Sequence, residues 1–323
     1  MQFFTHINIP PFAEKINHKS RILSLGSCFA ENIAMRLRDA KFNIDASPSG
    51  ILFNPESIAS TIDNMAAGRA PKQEDLLCNG DVWFNFDFHS AFSSCDKDAA
   101  LHAMQEAMRR GSKSLRCADT LIITFGSAWV YRHKQSGKVV ANCHKQPANE
   151  FHRELLAVED IVNRWRGLLQ GVLSTKRVIF TVSPIRHLSD GLEQNSLSKA
   201  TLRVAIAQLC SVFDNALYFP SYEIMNDELR DYRFYGEDMI HPSPTAIDYI
   251  WSRFCDTSIS ESALAVMQRI ERLNRAIAHR PFNPQSESHR QFCHKWISEI
   301  ELLQNEFSEM DFEKEMAHFS SYL

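Results

Sequence analysis

An α/β domain on a mostly parallel sheet is what this chain predicts, and three observations predict it. Five short apolar runs read as strands: Ile22–Leu25, Phe42–Ile44, Leu121–Phe125, Val178–Val182 and Ala216–Phe219. Amphipathic helical patterns separate several of them, which argues for parallel strands with helices over both faces of the sheet. The chain has 323 residues, 44% of them hydrophobic, enough for one large core with an appendage.

The helical patterns run over Glu31–Arg38, Glu56–Ala67, Ala99–Arg110, Val158–Val172 and Ser196–Phe213. Asp81–Phe88 alternates imperfectly and reads as a peripheral strand. Trp129–Arg132 and Lys138–Ala141, with Ser136-Gly137 between them, read as a hairpin. Pro242-Ser243-Pro244 introduces a helix over Thr245–Phe254. Residues 1–256 are therefore read as the main domain and 257–323 as a helical appendage. In the appendage Leu264, Met267, Ile270, Leu273 and Ile277 step by threes and fours. Pro281 and Pro284 break that stripe, and Phe292, Trp296, Ile300, Leu303 and Phe307 form a second. The expectation is a helical hairpin packed on the main domain. A homo-oligomer contact through these helices is the alternative.

Charge and composition exclude several classes. A net charge of −4 and a pI of about 6.4 do not suit a nucleic-acid binder. The N-terminal residues 1–16 lack a basic n-region, so no secretory leader is expected. No apolar run is long enough to span a bilayer, and no membrane partner is expected. The eight cysteines include no CxxC, which argues against a zinc ribbon or thioredoxin-type site. Reduced thiols and a cytoplasmic location follow as expectations. With no HExxH and no GxxxxGK[ST], neither a metal nor a nucleotide cofactor is predicted.

The chemistry concentrates in two places. At Gly26-Ser27-Cys28 an apolar run stops and a helical pattern begins, with Phe29, Ile33 and Leu37 four apart. A serine on such a turn sits at a helix N-terminus, where unpaired N–H groups and the dipole favour negative charge. That suits a nucleophile whose attack creates an oxyanion. A serine hydroxyl needs an adjacent base, and the base needs a carboxylate to fix its tautomer. Asp238-Met-Ile-His241-Pro242 supplies both, three residues apart on one turn. Cys28 has two readings: a reactive thiol at a helix N-terminus, or a small side chain packed behind the turn.

Gly26-Ser27-Cys28-Phe29-Ala30 spells GSCFA, and residues 1–256 resemble the GSCFA-domain family of bacteria, which looks like a branch of the SGNH (GDSL-type) hydrolase fold. The resemblance extends to Ser49–Pro55, His89-Ser90, Thr124–Trp129, Asn142–Lys145, Ser183–His187 and Phe219–Ile224. It implies a three-layer α/β/α domain with Ser27 as nucleophile, His241 as base and Asp238 as its partner. It also implies an oxyanion hole of three donors: the Ser27 N–H, a glycine N–H for which Gly50 is the candidate, and an asparagine amide. The asparagine is not where that fold has it, because Gly126-Ser-Ala-Trp129 follows the third strand in place of GxND. Asn142 or Asn54 can supply the donor from elsewhere, with Asn142 slightly preferred.

Gly126, Arg186, His187, His144 and His89 complete the set as substrate-binding candidates. His187 and Arg186 follow the strand Val178–Val182, at the sheet edge where ligands of open α/β sheets gather. Arg186 reads equally as an anion hook or a surface ion-pair residue, and His89 also reads as a packed histidine. The expected activity is cleavage of an acyl ester on a carbohydrate or small metabolite. Acyl transfer by the same triad and a non-catalytic binding module are the alternatives.

Overall fold

The computed structural model describes residues 5–323; residues 1–4, part of the N-terminal stretch read for a leader, lie outside the described residues. The first half contains β1 (Arg21–Gly26), α1 (Cys28–Asp39), β2 (Asn43–Ala46), α2 (Pro55–Ala66), β3 (Leu77–Asn79), β4 (Val82–Phe84) and α3 (Lys97–Cys117). Next come β5 (Thr120–Phe125), β6 (Trp129–His133), β7 (Val139–Val140), β8 (Phe151–Leu155), α4 (Val158–Gln170), β9 (Arg177–Val182) and α5 (Gly191–Val212). The chain closes with β10 (Ala216–Tyr218), the short α6 (Ser221–Glu223), α7 (Pro244–Ser258), α8 (Glu261–Ala278), α9 (Glu287–Glu306) and α10 (Glu313–Ser320).

The five predicted apolar runs form one parallel sheet in the order β10-β9-β5-β1-β2. Successive residues of a strand face opposite sides, and both sides are apolar. Leu23, Ile123 and Phe180 pack with Ile62, Met104, Trp165 and Ile206 of α2, α3, α4 and α5. Ile22, Ile122 and Ile179 pack with Phe29 and Ile33 of α1 and with Ile250 and Phe254 of α7. This is a three-layer α/β/α domain. The chain goes from β1 to β2 on one side and later returns to β5 on the other. The order therefore reverses between β1 and β5, and at such a switch point a crevice opens beyond the carboxyl ends of the strands.

Several elements differ from the sequence reading. The strand expected over Asp81–Phe88 is only β4, paired with β3 around Gly80. The predicted β6–β7 hairpin gains β8 along the other edge of β6. Helix α3 runs on to Cys117, past the point where its apolar pattern thins. A Cβ at Gly111 would stand 2.5 Å from Met65 Sδ, so a small residue there carries the helix against α2. The C-terminal part has three helices, not two: α10 adds Phe319 to the core of Ile270, Leu273, Cys293 and Leu303. Eight residues are too few for a periodic stripe to announce it. This part docks on the main domain through Lys41, which donates to Glu315 at 2.6 Å and to Asp311 O at 2.7 Å.

One glycine holds the sheet's switch point together. Gly26 has φ +142°, and a Cβ built there would lie 2.2 Å from Thr124 O on the neighbouring strand. Gly26→Ala is expected to destabilise the protein by about 3 kcal/mol or more, because the clash is with backbone and the φ is unfavourable. Urea unfolding at constant m-value measures it; a midpoint equal to wild type would contradict the packing described.

Candidate active site

Three strand exits stand side by side on the carboxyl edge of the sheet: Ser27 after β1, Gly126 after β5 and Ser183 after β9. The register pairs Gly26 with Thr124, and Phe125 with Val182. The Ser27 N–H donates to Thr124 O at 3.3 Å, and the Ser183 N–H to Phe125 O at 2.8 Å. The segment between β2 and α2 crosses the same edge. Leu52 N–H donates to Gly26 O at 2.9 Å, and Phe53 O accepts from both Gly126 and Ser127 N–H, at 2.7 and 2.9 Å. Gly126 lies in the gap between these pieces. A Cβ there would be 2.9 Å from Phe53 O and 3.3 Å from Ser27 Cβ, so Gly126 is a packing glycine beside the serine.

Ser27 caps α1. Its Oγ accepts from the Phe29 N–H at 3.3 Å, and the residue is 1% exposed. The Oγ proton has no acceptor among the described residues. The Cys28 N–H, first in the helix, finds no oxygen acceptor there either. Burial pushes the Cys28 thiol up, outweighing the backbone N–H beside it, and Glu31 adds to the rise. This favours the packed reading of Cys28 over a reactive thiolate.

Asp238 and His241 form a self-contained turn. Asp238 Oδ1 accepts from the backbone N–H of Ile240 at 2.9 Å and of His241 at 3.0 Å. Its Oδ2 accepts from His241 Nδ1 at 2.6 Å. The two amides, then the imidazole, hold the carboxyl down to about 2. With Nδ1–H directed at the carboxylate, Nε2 carries the free lone pair. Met239 takes φ +56° to close the turn. Both side chains are about half exposed.

The turn is fastened to the sheet edge just past β9. Arg186 N–H donates to Ile240 O at 3.2 Å, and its guanidinium stacks over Tyr235 at 3.8 Å and Tyr232 at 5.1 Å. Arg186 is thus a fastener for the Asp238–His241 loop rather than half of an ion pair. Among the described residues no hydrogen bond joins Ser27 Oγ to His241.

The other sequence-predicted residues fall into two groups. His187 belongs to this edge: its Nε2 donates to Gly126 O at 3.0 Å. Burial, then the charge of Lys199, push its imidazole down to about 4, so it is neutral with Nδ1 as acceptor. His144 and Asn142 belong to the loop around Phe86. His144 is buried, its Nε2 bonds Asn85 O at 2.9 Å and Phe88 O at 3.0 Å, and its ring stacks on Phe84. Asn142 Oδ1 accepts from the His144 N–H, and none of its hydrogen bonds reaches a strand exit. His89 packs its Cβ over Gly50 and caps a short turn through Nδ1. The Gly50 N–H donates to Ser47 O at 2.7 Å within a turn of its own.

Asn54 is placed differently. It follows Phe53, which touches Gly126 and through it the serine. Its Oδ1 accepts from the Ser57 N–H at 2.8 Å as the N-cap of α2, which fixes the amide's orientation. The residue is 5% exposed and its Nδ2 has no partner among the described residues. An amide donor on a buried residue is thus left without a protein partner next to the switch point. Sequence reasoning missed Lys199 altogether. It is 1% exposed, and its Nζ donates to Gly126 O at 2.7 Å and Ser183 O at 2.8 Å. Its register with Leu202, Ile206 and Leu209 on the buried face of α5 is the signal that marks it.

A cleft of about 1590 Å³ opens elsewhere, between α2 and the β6–β8 sheet, with Glu56, Asp63, Asp75, Asp87, Arg132 and Lys138 among its walls. Asp87 meets solvent there, yet protein on most sides pushes its carboxyl up, and Lys138 opposes the rise. None of Ser27, Asn54, His187, Asp238 and His241 lines this cleft. Volume alone does not outweigh the convergence of polar groups at the switch point.

No helix among the described residues is long and apolar enough to cross a membrane. No curated protein matches the chain. Residues 270–323 match a family model described as the C-terminal domain of GSCFA domain proteins, and residues 21–254 match the GSCFA family. With the larger match spanning both the serine turn and the Asp238–His241 loop, the chain belongs to the GSCFA family.

Proposed function

We propose that this protein is a serine hydrolase of SGNH type that cleaves an acyl ester. The observation that carries the reading is the Asp238–His241 pair, 2.6 Å apart, with Nε2 unpaired on a loop fastened to the sheet edge that carries Ser27. His241 Nε2 takes the Ser27 proton as Oγ bonds to the ester carbonyl carbon. Asp238 holds the resulting imidazolium and its tautomer. The imidazolium then gives the proton to the leaving alcohol as the carbon–oxygen bond breaks. Water, deprotonated by His241, releases the acyl group and returns the serine. Catalytic hydrogen bonds commonly close only around a bound substrate, so the open Ser27–His241 contact is compatible with this sequence.

The oxyanion falls to different donors from those first expected. Ser27 and Gly50 N–H already have carbonyl acceptors, while the Cys28 N–H and Asn54 Nδ2 have none. A helix N-terminus and an oriented amide suit a developing negative charge. His187, neutral and with Nδ1 open, is suited to accept from a hydroxyl on the substrate, which favours an acylated carbohydrate or polyol.

Three outcomes are expected. A fluorophosphonate is expected to label the full-length protein, with labelling lost in Ser27→Ala and kept in Cys28→Ala. No label on wild type leaves a binding module as the better reading, and the reverse mutant pattern makes Cys28 the nucleophile. Asp238→Asn is expected to lower turnover of an acyl ester on the order of 10³- to 10⁴-fold with little change in KM; an unchanged rate removes Asp238 from the mechanism. Asn54→Asp keeps an acceptor for the Ser57 N–H but loses the amide donor. Its melting temperature is expected to hold while kcat falls about a hundred- to a thousandfold. Full activity in a folded Asn54→Asp protein excludes the amide as oxyanion donor.

A further inference from the structure

Lys199 is the one group at this edge that the mechanism above does not use. It stands on α5 with its side chain enclosed, and no carboxylate pairs with it among the described residues. The nearest aromatic face, that of Tyr222, is 5.9 Å from Nζ. A buried ammonium without a counter-ion is unfavourable, and its solution is to titrate. Burial brings the amine down to about 7. The neutral form has two N–H groups, and two carbonyls receive them, Gly126 O and Ser183 O.

Those carbonyls are not ordinary loop oxygens. Gly126 and Ser183 are the first residues beyond β5 and β9, and Gly126 O also accepts from His187 Nε2. Next to Lys199, Ser198 Oγ accepts from the Ala128 N–H at 2.8 Å, so α5 grips the same exit twice. Ser27 packs against Gly126 from the other side. We propose that Lys199 is a positioning residue of this site: its amine ties the two strand exits together by their carbonyls. Through Gly126 it fixes where Ser27 stands and which nitrogen of His187 carries the proton.

The groups facing this clamp are few. His187 lies on the segment after β9, Tyr222 on α6, and Asp190 reaches His187 from the turn before α5, itself paired with Arg153. The kinetic part of the proposal rests on the serine-hydrolase reading; the structural part does not.

The test is Lys199→Met in the full chain, which keeps the apolar stem and removes the donor. A cooperative melt is expected. The folded value of about 7 lies below that of a free lysine, so between these values the unfolded chain binds more protons and wild-type stability rises with pH. The wild-type melting temperature is thus expected to gain on that of Lys199→Met as pH rises above 7. Fluorophosphonate labelling of Ser27 is expected to slow about a hundredfold, the size that a misplacement of about 1 Å produces. Besides the limb of the catalytic imidazole, which both proteins share, the wild-type pH profile is expected to carry a further change near 7 that the variant lacks. Imidazole ¹⁵N shifts supply a reading independent of catalysis: His187 as the Nε2–H tautomer in wild type, and a mixture of tautomers in Lys199→Met. A folded variant labelled as fast as wild type, with the same pH profile and the same His187 tautomer, overturns the proposal. If wild type takes no label, the hydrolase reading fails and the tautomer comparison alone decides the clamp. If the variant does not fold, the wild-type tautomer decides: His187 protonated on Nε2 supports the clamp, and His187 protonated on Nδ1 overturns it.

Discussion

No side chain fits between the ends of β1 and β5, and the rest of the site depends on that fact. Gly26 and Gly126 let two backbones approach where any Cβ would strike a carbonyl. Into the space so formed the chain inserts Leu52 and Phe53, which bond to Gly26 O and to the Gly126 and Ser127 amides. The serine turn, the third strand exit and the start of α2 are thereby drawn to one point. Their mutual distances are set by backbone hydrogen bonds rather than by side-chain packing, and that kind of contact leaves little room for drift.

The balance of charge around this point is unusual. Two carboxylates near the edge are accounted for: Asp238 by two amides and an imidazole, Asp190 by Arg153. Arg186 lies against tyrosine faces. Lys199 also has no opposite charge beside it among the described residues, and it is the most enclosed of them. Burial depresses the neighbouring His187 first, and the positive form of Lys199 adds to the effect. His241 stands on an exposed turn, 2.6 Å from its carboxylate. The two imidazoles at one edge therefore sit in opposite environments, one enclosed and neutral, the other solvated and paired.

Much of this was legible in the sequence, for local reasons. The five strands are short apolar runs with little competing pattern, and the Gly-Ser pair marks where β1 turns into α1. Asp238 and His241 are three apart, so a single turn settles their contact. What escaped was whatever depends on distant pairing. Asn54 comes to this edge because the carbonyl of Phe53 before it reaches across to the Gly126 and Ser127 N–H groups just past β5. Asn142 is slightly preferred on sequence, but it serves the His144 loop. β8 was missed because Arg153 and Glu154 put charge on both faces of the strand, Arg153 over Trp129 and Glu154 against Arg132, so no hydrophobic alternation betrays it. Lys199 was missed because a lysine in an amphipathic helix is ordinarily on the wet side.

The Asp238–His241 turn needs nothing outside itself to hold its geometry. Both partners, the amides that orient the carboxylate and the left-handed residue between them lie within four consecutive positions. The surroundings hold the finished unit from both sides: the Gly236 N–H donates to His241 O at 2.7 Å, and the Arg186 N–H to Ile240 O at 3.2 Å. In this scaffold the orientation of the imidazole and its placement relative to the Ser27 hydroxyl are encoded in different segments.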